Sequence, residues 1–243
     1  MKLTPQEKAD RKAAFRRMNF SARAEYIFSY YKLPLVLILI AVIFIVTVAY
    51  HRITKKNELL YLGLINVSAG DEVMEELTDG FINTLDVNPK KNEVYTYRDL
   101  YISEDPAPEY HQYAYTSRLK MLAAMNAKQV DVVLLNKEAY DLFSRSGYLL
   151  DLRTFLQQDD PDLLPLLQPC LTENEVILED NSIEMQLGTE DSYTADTVSF
   201  VNGIEVSGLP FFSSAAFPGP VYLCVIANCP RLPAVISYLR YLL

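Results

Sequence analysis

Polar side chains follow two apolar runs of the sequence, at the points where buried strands would end. One set comes at and after the end of LLYLGLINVS (Leu59 to Ser68), and the other at and after the end of VDVVLLN (Val130 to Asn136). Because open α/β sheets bind ligands outside the carboxyl ends of their parallel strands, we expect the two sets to lie together at that edge. Their amide, hydroxyl, carboxylate and amine groups can form hydrogen bonds with a ligand or a partner protein. The candidate binding residues are Asn66, Ser68, Asp71, Asn136, Lys137 and Tyr140.

A further residue, Asn228, ends the last apolar strand and is expected at the same edge. Two interpretations of these polar residues stay open. They could contact a ligand, since two of the loops lead into helix N-termini, which could receive an anion. Alternatively, Ser68, Asp71 and Asn136 are helix caps, whose side chains accept hydrogen bonds from the first turn of the following helix.

The sequence contains none of the constellations that usually mark catalysis. It has no glycine-rich phosphate loop and no Gly-x-Ser-x-Gly elbow, and Ser213-Ser214 has no histidine nearby in sequence. Paired acids such as Asp159-Asp160 are typical of solvated loops rather than of a glycosidase. No spacing of ligand residues indicates zinc or calcium. We therefore predict that the protein is not an enzyme and has no catalytic residue, metal site or cofactor.

Three cysteines lie late in the chain, and their odd number leaves at least one free or paired with another chain. Cys224 lies in the apolar run VYLCVIA and is predicted to be a small buried side chain. A disulfide between Cys224 and Cys229 would require a sharp turn, because five extended residues exceed the reach of the bond.

The run from Leu33 to Tyr50, LPLVLILIAVIFIVTVAY, contains no charged residue. A helix of that length covers about 27 Å at 1.5 Å per residue, close to the hydrocarbon thickness of a bilayer. Tyr30 and Tyr31 precede the run, where aromatic rings favour the headgroup level. The sequence therefore predicts a single transmembrane helix over residues 33–50.

Charge predicts the orientation of this helix. Residues 1–32 hold eight Lys and Arg against three acids, and Arg52, Lys55 and Lys56 weaken this bias without reversing it. The excess of basic residues places the N-terminus in the cytoplasm and the C-terminal part outside. The alternative is a cleaved secretory signal, for which the apolar run is too long and the basic leader too extended. In both cases the C-terminal part is exported.

The predicted exported part is strongly acidic. Residues 57–243 carry eleven basic and 28 acidic side chains, a net charge of −17, which argues against binding nucleic acid by phosphate attraction. We expect a cytoplasmic basic leader at 1–32, the transmembrane helix at 33–50, a spacer at 51–58 and an extracytoplasmic domain at 59–243. The predicted location is the plasma membrane, which the single helix spans once.

Strands and helices alternate along the first half of this domain. The apolar patterns predict strands at 59–68, 94–102 and 130–136, with helices at 71–85, 108–129 and 137–147. In the second of these helices we expect an apolar stripe that includes Tyr115, Leu119, Leu122 and Met125 or Asn126. This alternation implies parallel strands with right-handed crossovers. Later patterns predict strands at 176–178, 182–187, 197–206 and 220–229 and a helix at 232–243. The expected fold class is α/β, with a single mixed, mainly parallel sheet flanked by helices.

Two stretches carry a resemblance to a known family. AMNAKQVDVVLLNKEAYDLFSRSGYLLDL (Ala124 to Leu152) resembles part of the first lobe of type II extracellular, or periplasmic, solute-binding proteins of ABC importers. PVYLCVIANCPRLPAVISYLRYLL (Pro220 to Leu243) is similar to the family's returning strand and closing helix, and GIEVSG (Gly203 to Gly208) to a segment that often precedes them. The leader, with AEYIFSYYKLPLVLILI (Ala24 to Ile40), resembles those of membrane-anchored, one-lobed relatives in Gram-positive bacteria.

This resemblance implies a binding module built like one solute-binding lobe. Only about 67 residues (Arg153 to Gly219) separate the two lobe-like segments, which is too few for a complete second lobe. We therefore expect an interaction module with a protein partner or a second copy of itself, and whether it also binds a small molecule stays open. The alternative is a true importer receptor for a sugar or peptide that acts as a dimer.

Overall fold

A computed structural model describes residues 32–182, 192–212 and 217–243, together with 185, 215 and twelve residues among the first 25 (4, 6, 13, 14, 16, 18–23 and 25). The side chains of 32, 35 and 51–54 fall outside this description. Most of the strand predicted at 182–187, and the pair Ser213-Ser214, also lie outside the described residues. The chain divides into two compact units, Met1–Lys55 and Lys56–Leu243.

The first unit contains a long apolar helix, α1 (Lys32–Thr54), of 23 residues. Its described side chains run without interruption from Val36 to Tyr50, and all of these are exposed. Thr47 donates its hydroxyl to the backbone carbonyl of Ile43 at 2.8 Å, which satisfies the one polar side chain in that run other than Tyr50. Across the part of the chain that the structure describes, no helix has the combined length and apolarity needed to cross a membrane.

The second unit is an α/β domain around a six-stranded mixed sheet. Its strands lie in the order β2-β1-β3-β6-β5-β4. Their bounds are β1 (Asn57–Ile65), β2 (Asn92–Leu100), β3 (Val132–Asn136), β4 (Leu171–Asp180), β5 (Ala195–Glu205) and β6 (Val221–Val225).

Seven α-helices of the described chain accompany this sheet. They are α2 (Asp71–Glu75), which continues through a π-helical turn (Glu76–Gly80) into α3 (Phe81–Thr84), then α4 (His111–Asn126), α5 (Lys137–Arg145), α6 (Leu152–Asp159), α7 (Leu164–Leu167) and α8 (Leu232–Tyr241). Single turns of 3₁₀ helix lie at Pro108–Tyr110, Gln168–Cys170 and Pro210–Phe212.

The prediction of a mixed α/β sheet is confirmed, but the expectation that it is mainly parallel is wrong. β1 pairs with β2 and β3 in parallel, whereas the β3–β6, β6–β5 and β5–β4 pairs in the described chain are antiparallel. The first three strands are separated by helical crossovers, which favour parallel pairing. β4 and β5 follow each other in the chain as an antiparallel pair, and β6 runs antiparallel to both β5 and β3, so the second half of the sheet is antiparallel.

β6 lies in the middle of the sheet and closes the domain. Its five residues pair with β3 from Val132↔Val225 to Asn136↔Val221, and all five are buried. One face of the sheet packs against α2, α3, α6 and α8, and the other against α4 and α5. The C-terminal segment therefore completes a core that begins about 160 residues earlier in the chain, at β1.

The predicted apolar stripe of α4 is wrong at Tyr115 and Leu119 and correct at Met125. The helix buries Ala114, Ser117 and Met121 against the sheet, together with Ala124 and Met125. Tyr115 is 61% exposed and Leu119 49% exposed, while Leu122 is half-buried. Ala114, Ser117 and Ala124 are small and allow a close approach to the sheet. Met121 and Met125 fill the core beside them, while Tyr115 and Leu119 remain on the surface.

Candidate functional site

Asn66 ties together the carboxyl ends of the first two strands. It adopts a left-handed backbone conformation (φ 56°), which asparagine tolerates better than most residues. Its side chain donates to the carbonyl of Ile102 at 2.7 Å and accepts from the Ile102 amide at 2.9 Å. Its Nδ2 also lies 3.2 Å from Oδ1 of Asn136. These bonds bring two candidate residues from neighbouring strands into contact, as predicted from the sequence.

Asn136 is the N-cap of α5, so the capping interpretation holds at this position. Its Oδ1 accepts a hydrogen bond from the Ala139 amide at 3.0 Å, in addition to the one from Asn66. Its backbone is extended, as usual for a capping residue. The amides of Asn66 and Asn136 are thus partly used within the fold, and each retains hydrogen-bonding capacity toward solvent.

The antiparallel direction of β6 brings a further segment to this edge. Because Asn136 pairs with Val221, the residues that precede β6 lie beside the ends of β1 and β3. They complete an open hollow of about 260 Å³. The lining residues are Asn66, Val67, Asn136 and Lys137 on one side and Phe217, Pro218, Gly219, Pro220 and Val221 on the other.

The same strand direction moves Asn228 away from this edge. The end of β6, Val225, pairs with Val132 at the beginning of β3, so Asn228 lies at the opposite edge of the sheet. There its Nδ2 donates to the carbonyl of Met125 at 3.0 Å. The expectation that Asn228 joins the candidate site is therefore wrong, because it assumed a parallel last strand.

Among the described residues, Lys137 is the one charged side chain that lines the hollow. Its Nζ forms an ion pair with Asp141, one turn later on α5, and lies 5.7 Å from the centre of the Tyr140 ring. Asp141 also accepts a hydrogen bond from Asn174 at 2.7 Å. The amine is therefore held near the rim while its side chain remains 58% exposed, and it can contact a partner at that position.

The side chain of Tyr140 is buried in the core and does not line the hollow. Its hydroxyl donates to Oδ1 of the fully buried Asn202 at 2.8 Å, and its ring stacks on Tyr222 with 4.5 Å between centroids. Burial raises the pKa of this phenol well above its ordinary value. Asn202 donates in turn to Ser144 at 2.7 Å. Tyr140 thus supports the fold, and its side chain does not line the predicted surface.

Gly203 makes room for the buried phenol. A Cβ atom at this position would lie 2.8 Å from the Tyr140 ring and 2.6 Å from Oγ1 of Thr172. Sequence reasoning did not identify this pair, because a glycine in a strand does not reveal which side chain it admits.

Ser68 lies in the loop after β1 and Asp71 is the first residue of α2, and neither lines the hollow. Both are exposed, and the cap of α2 is Gly70, with no capping bond from a side chain. Asp71 is 3.5 Å from Arg98 in an exposed ion pair. Of the six candidate residues, the structure therefore brings Asn66, Asn136 and Lys137 together at the hollow and leaves Ser68 and Asp71 apart from them. Tyr140 lies next to Lys137 but is buried in the core and does not line the hollow.

The opposite edge of the sheet contains a buried carboxylate that sequence reasoning missed. Asp131 is fully buried just before β3 and accepts a hydrogen bond from the Tyr61 amide at 2.8 Å. Nη1 of Arg231 lies 3.0 and 3.2 Å from its two oxygens, and the guanidinium stacks 4.4 Å from the Tyr61 ring centre. This cluster fastens the loop before α8 to the beginning of β3.

Cys229 belongs to the same cluster as a protonated thiol. Its Sγ donates to Oδ1 of Asp131 at 3.1 Å. Burial, together with this bond to a carboxylate, raises the pKa of the thiol to about 12. All three cysteines are free, and Cys224 is buried as predicted. Cys229 therefore serves as a hydrogen-bond donor in the fold.

Neither the residues at the candidate site nor a comparison with known proteins identifies an activity. Among the described residues, no group of three or more His, Cys, Asp or Glu side chains could hold a metal ion. No protein-family model, no curated protein and no solved structure matches this chain.

Proposed function

We propose that this protein is a membrane-anchored extracytoplasmic interaction module, built like one lobe of a type II solute-binding protein. The observation that carries the proposal is the open hollow between the ends of β1 and β3 and the Phe217–Val221 segment. Two amides and an amine line it beside an aromatic ring and two prolines, which suits recognition of a surface. Nothing in this set pairs a nucleophile with a base, so we propose binding rather than catalysis.

The anchor in this proposal is helix α1. Its sequence contains eighteen consecutive uncharged residues, and 23 helical residues cover about 34 Å at 1.5 Å per residue. The basic leader favours a cytoplasmic N-terminus. Residues 57–243, with their net charge of −17, then lie outside the cell, where exported proteins meet other envelope components.

The likeness to a solute-binding lobe rests on two features. Strand β3 and helix α5 form the Asp-Val-Val strand and short helix of the resembling stretch, and β6 with α8 forms the returning strand and closing helix. β6 pairs along its whole length with β3, so the two resembling stretches are neighbours in the sheet. This adjacency supports the resemblance, because segments far apart in sequence build one structural unit.

The shape of the hollow favours a protein partner over a small solute. Sites for small ligands usually enclose 70–90% of the ligand surface. Here the lining comes from one unit only, and the hollow is open on its outer side. The importer-receptor alternative would need a second body to cover a sugar or peptide, such as another copy of this chain.

The experiment that separates these two functions is a binding measurement on the full chain in detergent micelles. Calorimetric titration with monosaccharides, amino acids and short peptides should show no dissociation constant below about 1 µM, because an open surface excludes too little water around a small ligand. Submicromolar binding of one of these solutes would overturn the proposal and favour the importer receptor.

A cross-linking experiment in cells tests whether the hollow contacts a partner protein. A photoreactive amino acid at position 67, in the lining, should give a discrete protein adduct. Pro218→Arg places a charged side chain in the hollow and should reduce that adduct, whereas Pro89→Arg at an exposed turn should leave it unchanged. An adduct equally strong in all three chains would show that the hollow does not make the contact.

A further inference from the structure

Another cavity of the domain lies between helices α4 and α5, on the face of the sheet that these two helices cover. It has a volume of about 120 Å³, and we term it the α4–α5 pocket. Helix α4 contributes residues three and four apart, which share one side of a helix. The apolar lining consists of Ile102, Met121, Leu122, Leu142, Phe143 and Tyr148. None of these residues lines the hollow described above.

The inner part of the α4–α5 pocket is apolar and gives water few partners. Ile102, Met121 and Phe143 are each at most 3% exposed. Ser146, at the outer part of the lining, already donates its hydroxyl to the carbonyl of Leu142 at 2.8 Å. Apolar cavities of about 150 Å³ lined by Leu, Ile and Phe take up benzene, whereas water needs two to four polar partners. The pocket therefore suits one ring or one short branched chain of a ligand.

Arg118 places a positive charge at the exposed side of the α4–α5 pocket. Its Nη2 donates to the backbone carbonyl of Ser103 at 3.2 Å, which fixes the position of the guanidinium. Among the described residues, no carboxylate lies within 4 Å of this group. Glu104 lines an adjoining depression together with Arg118, but it forms an ion pair with Arg145 at 3.6 Å. The guanidinium therefore retains donors that a ligand carboxylate can accept.

We infer that the α4–α5 pocket binds a small apolar carboxylic acid, with its ring or branched chain between the two helices and its carboxylate on Arg118. A sugar would lose the hydrogen bonds of its hydroxyl groups with water in the apolar part of the pocket. An amine would be repelled by the guanidinium. The volume limits the apolar part of the ligand to about one six-membered ring.

Binding of an acid at this pocket does not depend on the proposed function. The pocket and the hollow share no lining residue, so a substitution at one leaves the other intact. The class of ligand also differs, because the hollow is proposed to contact a protein. Failure of the acid to bind would therefore leave the interaction module untouched, and loss of the partner protein would leave the pocket in place.

Fluorine NMR on the full chain in a neutral detergent tests the pocket with 4-fluorophenylacetate as the probe. The wild-type chain should bind this acid saturably, with a dissociation constant of about 0.1–1 mM for a ligand of this size. Arg118→Met removes the charge while it keeps an apolar side chain, and it should weaken binding about tenfold because the charge-assisted hydrogen bonds are lost. Arg98→Met, outside the pocket, is the matched control and should bind like the wild type.

The neutral amide of the same acid separates recognition by Arg118 from partition into the micelle. 4-Fluorophenylacetamide should bind the wild-type chain about tenfold more weakly than the acid, and this difference should disappear in Arg118→Met. Leu122→Trp fills the pocket and should abolish saturable binding of both ligands while the chain still melts cooperatively. A wild-type chain that shows no saturable binding at about 10 mM acid overturns the inference. So does an acid that binds Arg118→Met or a folded Leu122→Trp chain as tightly as the wild type.

Discussion

Arg231→Met should be among the most destabilising single substitutions in this chain. The guanidinium neutralises the fully buried Asp131, and without it the carboxylate keeps only the Tyr61 amide and the Cys229 thiol. Removing one partner of a buried ion pair costs about 3–5 kcal/mol. In a domain of this size we expect the melting temperature to fall by about 10 °C, measured by circular dichroism on the full chain in detergent.

A second arginine provides the matched control. Arg98 forms an ion pair with Asp71 at 3.5 Å, but the Asp71 side chain is 99% exposed and Arg98 is 44% exposed. Pairs of this kind contribute about 0–1 kcal/mol, so Arg98→Met should leave the melt nearly unchanged. If both substitutions had the same small effect, Asp131 would be solvated and the cluster would not hold the C-terminal segment.

Deleting residues 220–243 should abolish the folded domain. The deletion removes β6, whose residues Leu223, Cys224 and Val225 are completely buried in the middle of the sheet, and also α8. Each large apolar side chain contributes about 1.5–3 kcal/mol, and the sum exceeds the 5–15 kcal/mol by which a domain is usually stable. We expect the truncated chain to lose its cooperative melt and to be cleaved rapidly by protease.

Two milder variants test how much the C-terminal segment contributes to stability while the domain still folds. Leu223→Ala should cost about 2–5 kcal/mol while the domain still folds. Deleting Leu243 alone, which is 47% exposed, should have little effect. A chain without residues 220–243 that melts like the wild type would show that β6 is peripheral.

The sequence predicted the first half of the domain well because its periodicities are strong. The alternation of apolar runs with helical patterns between 59 and 147 corresponds to β1, α2, α3, β2, α4, β3 and α5 within a few residues. The β4–β5 hairpin was located only in part, because its acidic and polar residues give a weak strand pattern. The direction of β6 has no local signature, since an apolar run is the same in both orientations.

The unpredicted direction of β6 explains why Asn228 was wrongly placed at the candidate site. An antiparallel β6 exchanges Asn228 for the Phe217–Val221 segment, whose glycine and prolines indicate only a loop. Tyr140 follows Asn136 by one helical turn, and the turn of α5 carries it into the core, where Gly203 and Asn202 accommodate it. Asp131 belongs to the predicted apolar strand, and nothing in its neighbours reveals that its partner is 100 residues away.

The most direct test of the account is the location of the C-terminus. Leu243 is exposed at the end of the domain, so a reporter fused after it should not disturb the core. Alkaline phosphatase at this position should be active in cells, because that enzyme folds only outside the cytoplasm, and a fluorescent protein that matures only in the cytoplasm should stay dark. Phosphatase inactivity together with bright fluorescence would contradict the extracytoplasmic assignment and the anchored module that depends on it.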